Sequence, residues 1–235
     1  HVCSCCAGNS HDSRNICPEQ FQHLQNNNPA KHKSNDIILK MKILAFVDVH
    51  ENITALRQIE HRADKADILV CAGDVTIFEN RIHEIMQRLG RIKKPIYIIP
   101  GNHETPAVLK KYCSFHTNLV YMHKQHKTIN GYDIIGWGGG GFSNTDEDFE
   151  AFAKKTSTDG RPTILITHAP PYGTKLDVIG REHCGNKSIM RYIKQNKNIL
   201  LHICGHLHEN MQKQERIGNT LIVNPGPGGA MIDLE

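Results

Sequence analysis

No apolar run in this 235-residue chain approaches the roughly 18 residues that a membrane-spanning helix requires, so a soluble protein is expected and a membrane partner is not. There is also no block of basic residues. Lys+Arg number 28 against 24 Asp+Glu, the formal net charge is only +4, and the cations are scattered, which argues against long DNA or RNA as substrate. Eight cysteines in a chain of this length are too sparse for the disulfide framework of a small secreted domain. Cys71 and Cys204 sit inside apolar runs, where a thiol acts as a small hydrophobe, and a reducing, cytoplasmic compartment is expected. The short apolar stretch after Met41 and Lys42 is too brief for a signal peptide. With 39% hydrophobic and 22% charged residues, the composition excludes a disordered tail, a collagen-like fibre and a pure coiled coil. What the chain has in abundance is histidine, 16 in all, several at metal-ligand spacings.

Residues 1–40 are unlike the rest. Between Cys17 and Ile37 only Phe21 and Leu24 are large and apolar, and Gln25-Asn26-Asn27-Asn28 is a polar tract. Such a segment buries too little surface to offset its ordering entropy. It is expected to be a poorly structured N-terminal extension, either processed or artificially added, with the folded domain spanning 41–235. The sharper alternative makes Cys3, Cys5, Cys6, His11 and Cys17 a small metal module, but their spacing fits no standard zinc template.

From Met41 the chain alternates. Ile43–Val47, Ile68–Cys71 and Ile96–Ile99 read as buried strands. Between them, residues 52–64 carry Ile53, Leu56 and Ile59 at helical spacing, and Ile82, Ile85, Met86 and Leu89 give the i, i+3, i+4, i+7 stripe of an amphipathic helix. This βαβαβ opening predicts a parallel sheet covered by helices. The second half offers strands at Tyr132–Ile135, Thr163–Thr167, Leu200–Cys204 and Thr220–Val223, a helix near 187–197, and a hairpin turning near Gly218-Asn219. It therefore predicts a mixed sheet.

Each notable polar cluster falls just after an expected strand: Asp48-Val49-His50, Gly73-Asp74, Gly101-Asn102-His103-Glu104, His168-Ala169-Pro170-Pro171 and Gly205-His206-Leu207-His208. In α/β sheets, ligands bind outside the carboxyl ends of strands. One histidine after a strand is ordinarily a hydrogen-bonded structural residue, but five such clusters point to one shared rim. Asp, Asn and His without thiolate suit a catalytic centre of Mn²⁺, Fe, Co²⁺ or Zn²⁺. Seven candidate ligands exceed one tetrahedral site and fit two adjacent metals, the arrangement used for in-line displacement at phosphorus. The Asp48-x-His50 and His206-x-His208 spacings put both side chains on one side of an extended chain.

Together these motifs, in this order, resemble the calcineurin-like metallophosphoesterases over nearly the whole stretch from Met41 to about Pro225. The resemblance implies a four-layer αββα sandwich with two facing mixed β-sheets. It also implies that Asp48, His50 and His208 hold one metal, that Asn102, His168 and His206 hold a second, and that Asp74 bridges them. His103 would then be the non-ligand histidine that steadies the transferring phosphoryl group and protonates the leaving oxygen. A hydroxide bridging two divalent ions, most simply Mn²⁺, would attack phosphorus directly.

Two departures from the family pattern bear on substrate. Val75-Thr76-Ile77-Phe78 replaces the Val-Asp-Arg-Gly stretch of protein Ser/Thr phosphatases, and Glu51 adds negative charge where many members have glycine. Both favour a small phosphodiester, with less charge than a phosphomonoester. The rivals are a phosphomonoesterase acting on small metabolites or phosphoproteins, a nuclease, and a catalytically silent protein-binding scaffold. The scaffold reading conflicts with the completeness of the motifs. Gly136 to Gly141 reads as a strand ending in a tight turn against neighbouring backbone, with a phosphate-accepting nest as the alternative. Trp137 reads as a core anchor rather than a base-stacking platform, and Lys124, His126 and Lys127 read as a solvated loop.

Overall fold

The computed structural model describes residues 40–156 and 158–234, so the readings placed on residues 1–39 lie outside the described residues. In chain order the elements are β1 (Met41–Phe46), α1 (Ile53–Arg62), β2 (Ile68–Cys71), α2 (Ile82–Gly90), β3 (Ile96–Ile98), α3 (Pro106–Cys113) and β4 (Leu119–Tyr121). A hairpin of β5 (Gln125–Ile129) and β6 (Tyr132–Trp137) follows, then α4 (Glu147–Lys155) and β7 (Thr163–Thr167). A small ribbon of β8 (Val178–Ile179) and β9 (Glu182–His183) leads to α5 (Lys187–Gln195), β10 (Ile199–Ile203), β11 (Gln214–Ile217), β12 (Thr220–Val223) and β13 (Ala230–Leu234). Helix starts are chemically marked. Asn52, Thr105, Asp146 and Asn186 each accept a backbone N–H of the first turn, and Pro106 sits where its missing N–H costs nothing. Among the described residues no helix is long and apolar enough to cross a membrane.

Two large mixed sheets result. The first has the order β13-β1-β2-β3-β4, parallel except for β13, which lies antiparallel to β1. The second has the order β11-β12-β10-β7-β6-β5, parallel at its centre with antiparallel edges. The period-2 alternation of each strand decides the layering. Leu44 and Phe46 of β1 pack with Leu56 of α1, Met86 of α2 and Leu109 of α3, while Met41, Ile43 and Ala45 face the second sheet at Ile134, Ile166 and Leu201. The outer face of the second sheet, including Ile135 and Leu165, is covered by Phe149 of α4 and Ile189 and Ile193 of α5. The architecture is thus an αββα sandwich with its central core between the sheets.

Two local readings change or sharpen. Residues 125–129 form an edge strand, not a loop; its exposed polar side chains disguised it, as is usual where one edge and one face meet solvent. Trp137 is a core residue whose Nε1 donates to Asp146 at 2.8 Å. Gly138 lies where a Cβ would stand 2.4 Å from Pro100, and Gly139 N donates to the Pro100 carbonyl, so the glycine run serves a close backbone approach.

His202 gives a first testable consequence. It is fully buried in β10, one ring nitrogen on Thr167 Oγ1 at 2.8 Å and the other without a partner. Burial pushes its pKa down to about 3. The unfolded chain therefore binds this proton more readily, and the stability His202 confers is complete above about pH 6.5 and lost as pH falls toward 3. Between pH 7 and 5 the loss should be about 2 kcal/mol. Urea midpoints should show a shallower acid decline in His202→Gln than in the parent; parallel declines would refute the assignment.

Candidate metal centre

The loops after β1, β2, β3, β7 and β10 meet on one rim and are sewn together by backbone. Asp48 N donates to Gly73 O, His50 N to Asp74 O and Gly205 N to His168 O. All eight residues singled out in the sequence are brought together here. Asp48, Asp74 and His168 are buried, His50, His103 and His206 are half-buried, and Asn102 and His208 are exposed. Asp48, Asp74 and His168 form the floor, and the other imidazoles with Asn102 the rim.

The convergence does not come from strand alternation. Asp48 (φ 54°), His50 (φ 45°), Asp74 (φ 53°) and His206 (φ 70°) all occupy the left-handed region, and His208 opens a 3-10 turn. Each such non-glycine conformation costs on the order of 1–3 kcal/mol and persists only where surrounding contacts impose it. The extended-chain rationale for the two x-spaced pairs is therefore replaced by tight left-handed turns just past the strand ends.

Asp74 is the hub of the cluster: its carboxylate shares one group of close donor atoms with His50 and His103 and another with Asp48 and His168. Donor atoms of Asp48, His50 and His208 lie within 4.8 Å of one another, and His50 Nε2 approaches His208 Nε2 at 3.1 Å. On the other side, Asn102 Oδ1 stands 2.9 Å from His168 Nε2 and 2.8 Å from His206 Nδ1. Asp74 Oδ2 faces both groups, 3.2 Å from His168 Nε2 and 3.9 Å from His50 Nε2, while Oδ1 accepts the His103 backbone N–H.

The donor set fits cations. His168 Nδ1 donates to Ala72 O, and His50 Nδ1 to Thr76 O, which turns both Nε2 atoms into the cluster. His168 Nε2 then confronts two oxygen acceptors, Asn102 Oδ1 and Asp74 Oδ2, and only a positive charge reconciles them. Burial alone would lower the His168 pKa, yet the hydrogen bond and charge of Asp74, helped by Asp48, raise it to about 9. Burial raises the pKa of Asp48. It also works upward on Asp74, but the bond and charge from His168 prevail and hold that carboxylate below its usual range. His206 is pressed down to about 4 by burial and by the His168 charge, so it is a neutral imidazole, and its Nε2 has no partner.

The comparisons with known proteins follow the same residues. The family model for calcineurin-like phosphoesterases matches residues 41–210. The chain belongs to that family. One relative is an uncharacterized protein of Methanocaldococcus jannaschii, 33% identical over 201 residues, spanning 80% of this chain and 88% of the relative. A second, 24% identical over 74% of this chain and 68% of its own, is the glycerophosphodiester phosphodiesterase GpdQ of Enterobacter lignolyticus. The fold is shared with a crystal structure from Thermus thermophilus (TM-score 0.67, 20% identity, 81% of this chain and 91% of the other). It is also shared with a dimetal phosphatase from Danio rerio (TM-score 0.53, 9% identity, 81% and 91%).

In this phosphoesterase, three features near the cluster escaped the sequence reading of roles. Glu104 sits within the quoted Gly101–Glu104 motif but had no function assigned. It is buried, its Oε2 accepting from Asp74 N and Gly101 N and its Oε1 from Thr76 N and Oγ1, so it clamps the Asp74 turn to the Asn102 turn. Burial, reinforced by the Asp74 charge, raises its pKa against these hydrogen bonds. Glu51, read as a rim charge, is also tied down there: it accepts from Ile77 N at 3.0 Å and Asn80 Nδ2 at 3.1 Å, fixing the loop after β2. Phe78 and Phe142, at the rim, carried no sequence signal at all.

Glu104→Gln tests the clamp. An amide must turn its NH₂ toward donors that previously shared a carboxylate oxygen. With its oxygen kept on Asp74 N and Gly101 N and its NH₂ turned to the Thr76 hydroxyl, which can accept it, one buried N–H, that of Thr76, is left unpaired, and a loss of about 1–3 kcal/mol in denaturant unfolding is expected. A variant as stable as the parent would show that the clamp is dispensable.

Proposed function

We propose that this protein hydrolyses a small phosphodiester at a centre of two divalent metal ions, with Mn²⁺ as the expected occupant and Fe, Co²⁺ or Zn²⁺ as chemically acceptable substitutes. The observation that carries the reading is the placement of six N and O donors, three on either side, around one Asp74 carboxylate oxygen. Asp48, His50 and His208 would hold one ion, Asn102, His168 and His206 the other, and Asp74 both. Bound there, the metals would supply Lewis acidity toward the phosphoryl oxygens and lower the pKa of a water.

The chain's own contribution to the reaction centres on His103. Phe78 N–H donates to His103 Nδ1 at 3.3 Å, which assigns the neutral ring its proton at Nε2. That atom stands 3.9 Å from Asp74 Oδ2, where its N–H can hydrogen-bond the departing oxygen as charge builds on it; outright proton transfer requires the ring to enter the step as imidazolium. Asp74 Oδ1 fixes the His103 backbone, so the acid and the donor groups keep one geometry.

A diester rather than a monoester is supported by the charge balance. Histidines and other carboxylates border Asp48 and Asp74, and Val75-Thr76-Ile77-Phe78 brings no arginine to the segment that follows Asp74 for a second phosphate charge. The Enterobacter relative, itself a phosphodiesterase by name, points the same way. A cytoplasmic setting belongs to the same proposal, supported by Cys71, Cys113 and Cys204 being buried as free thiols.

The test is turnover by Mn²⁺-loaded protein of bis(p-nitrophenyl) phosphate against p-nitrophenyl phosphate. A higher kcat/KM for the diester is expected. Preference for the monoester would make the protein a phosphomonoesterase, and no turnover of either by metal-replete protein would favour the scaffold reading.

A further inference from the structure

The described residues leave four large hydrophobic side chains exposed: Ile77 at 45%, Phe78 at 76%, Phe115 at 59% and Phe142 at 66%. Phe115 lies just past α3, packed edge-on against Tyr112. The other three crowd the metal-centre rim from two separate loops. The Phe78 ring is 4.4 Å from that of His103, and the Phe142 ring 4.7 Å from that of His206. A lone exposed aromatic needs no explanation, but two set against the histidines of one site do.

Phe78 is held there by devices of the chain. Phe78 (φ 50°) and Glu79 (φ 63°) adopt left-handed backbone, which a bulky residue takes only under constraint. The constraint is visible: Glu51 ties down Ile77 N and Asn80, His103 accepts the Phe78 N–H, and Glu79 Oε1 accepts Thr105 N at 2.7 Å. Phe142 ends the glycine run, in which Gly139 and Gly141 face open space. The two rings attach to different histidine groups, since His103 neighbours His50 at 4.9 Å and His206 neighbours His168 at 5.2 Å.

We propose that Phe78 and Phe142 are the two walls of the ester-binding site and select a phosphodiester bearing planar aromatic groups over one bearing a small polyol or alkyl group. The assignment rests on the phosphodiesterase reading and adds the substrate class to it. Phe78, packed on the ring that would protonate the leaving oxygen, receives the leaving substituent. Phe142, packed on His206, receives the retained one. An aromatic ring docked on a phenyl face gains stacking beyond simple burial, and the tied-down Phe78 loop holds its face in place before binding.

Phenyl p-nitrophenyl phosphate and methyl p-nitrophenyl phosphate share a leaving group and differ only in the retained substituent. The Mn²⁺-loaded full chain is expected to prefer the phenyl ester about tenfold in kcat/KM, through KM, the size of a good aromatic contact. Phe142→Ala should bring that ratio close to one, Phe142→Leu should leave it intermediate, and Phe115→Ala should keep both ratio and activity. Phe78→Ala should raise KM for both esters together. Equilibrium binding of phenylphosphonate against methylphosphonate, read by calorimetry, asks the same question without turnover, and Phe142→Ala should narrow that difference too. Equal KM values in the parent, or a ratio unchanged in Phe142→Ala, would overturn the proposal. So would loss of binding to phospholipid vesicles in Phe78→Ala and Phe142→Ala with KM unchanged, which would assign the rings to a membrane surface. If the loaded protein turns over neither ester, the phosphodiesterase reading fails, and the phosphonate pair still decides whether the walls recognise aromatic groups.

Discussion

Replacing His103 by alanine is expected to lower kcat by about 10²–10⁴-fold on a diester with a poor leaving group, the usual contribution of general acid catalysis, and to leave metal content unchanged. The expectation follows from how the ring is held. Its Nδ1 accepts the Phe78 N–H, so the proton resides on Nε2, and its distance of 3.9 Å from Asp74 Oδ2 is longer than the 3.2 Å of His168. An aryl ester, whose leaving group hardly needs a proton, should suffer far less. The discriminating measurement is therefore a pair of rates together with elemental analysis of the same preparation. If His103→Ala emptied the centre, or slowed both esters equally, the ring would be a ligand and the acid would have to be sought elsewhere.

Asp74→Asn should act in the opposite pattern, lowering metal binding and the turnover of good and poor leaving groups together. Asparagine tolerates the left-handed φ of 53° at this position, so backbone strain does not confound the result. What is lost is the negative charge that both histidine groups face. Substituting a residue that only orients a metal ligand already costs about 10–100-fold in affinity or activity, and removal of a shared carboxylate should exceed that. The same substitution should drop the His168 pKa from about 9, because burial would then act without its largest opposing partner. Two metals per chain in the parent and fewer than two in the variant, by elemental analysis, is the expected result. Two metals in both would remove Asp74 from the shared position.

Much of this was legible because the fold writes its chemistry at strand ends. The runs Ile68–Cys71 and Thr163–Thr167 match β2 and β7, and the stripe Ile82, Ile85, Met86, Leu89 is the buried face of α2. The polar residues that follow such strands end up on a single rim. Less legible were the elements whose signal is not periodicity. α3 and α4 announce themselves mainly by Thr105-Pro106 and Asp146 caps, and β5 is a polar edge. β13, five residues long and half-buried, reads as nothing special until its partner is known. Within the site, the identity of the donors was readable but their geometry was not. Left-handed turns at Asp48, His50, Asp74 and His206 place side chains that an extended chain would have sent elsewhere. Glu104, Glu51, Phe78 and Phe142 act through three-dimensional neighbours 25 or more residues away, or through exposure, and neither leaves a mark in local sequence.

The pairing of β1 with β13, Met41 opposite Leu234, closes the domain like a ring. It is the contact of greatest sequence separation in the first sheet, so its loop-closure entropy must be met before the sheet edge gains any hydrogen bonds. A circular permutant that joins these two strands through a short linker makes that pairing local. New ends can open at Asn130-Gly131, whose φ values of 48° and 82° mark a two-residue hairpin turn between β5 and β6, far in sequence from every donor loop except that of His103. Such a chain exchanges one long closure for another, because β5 and β6 then stand at opposite ends, so its non-local pairing moves from the first sheet to the second and its folding nucleus should move with it.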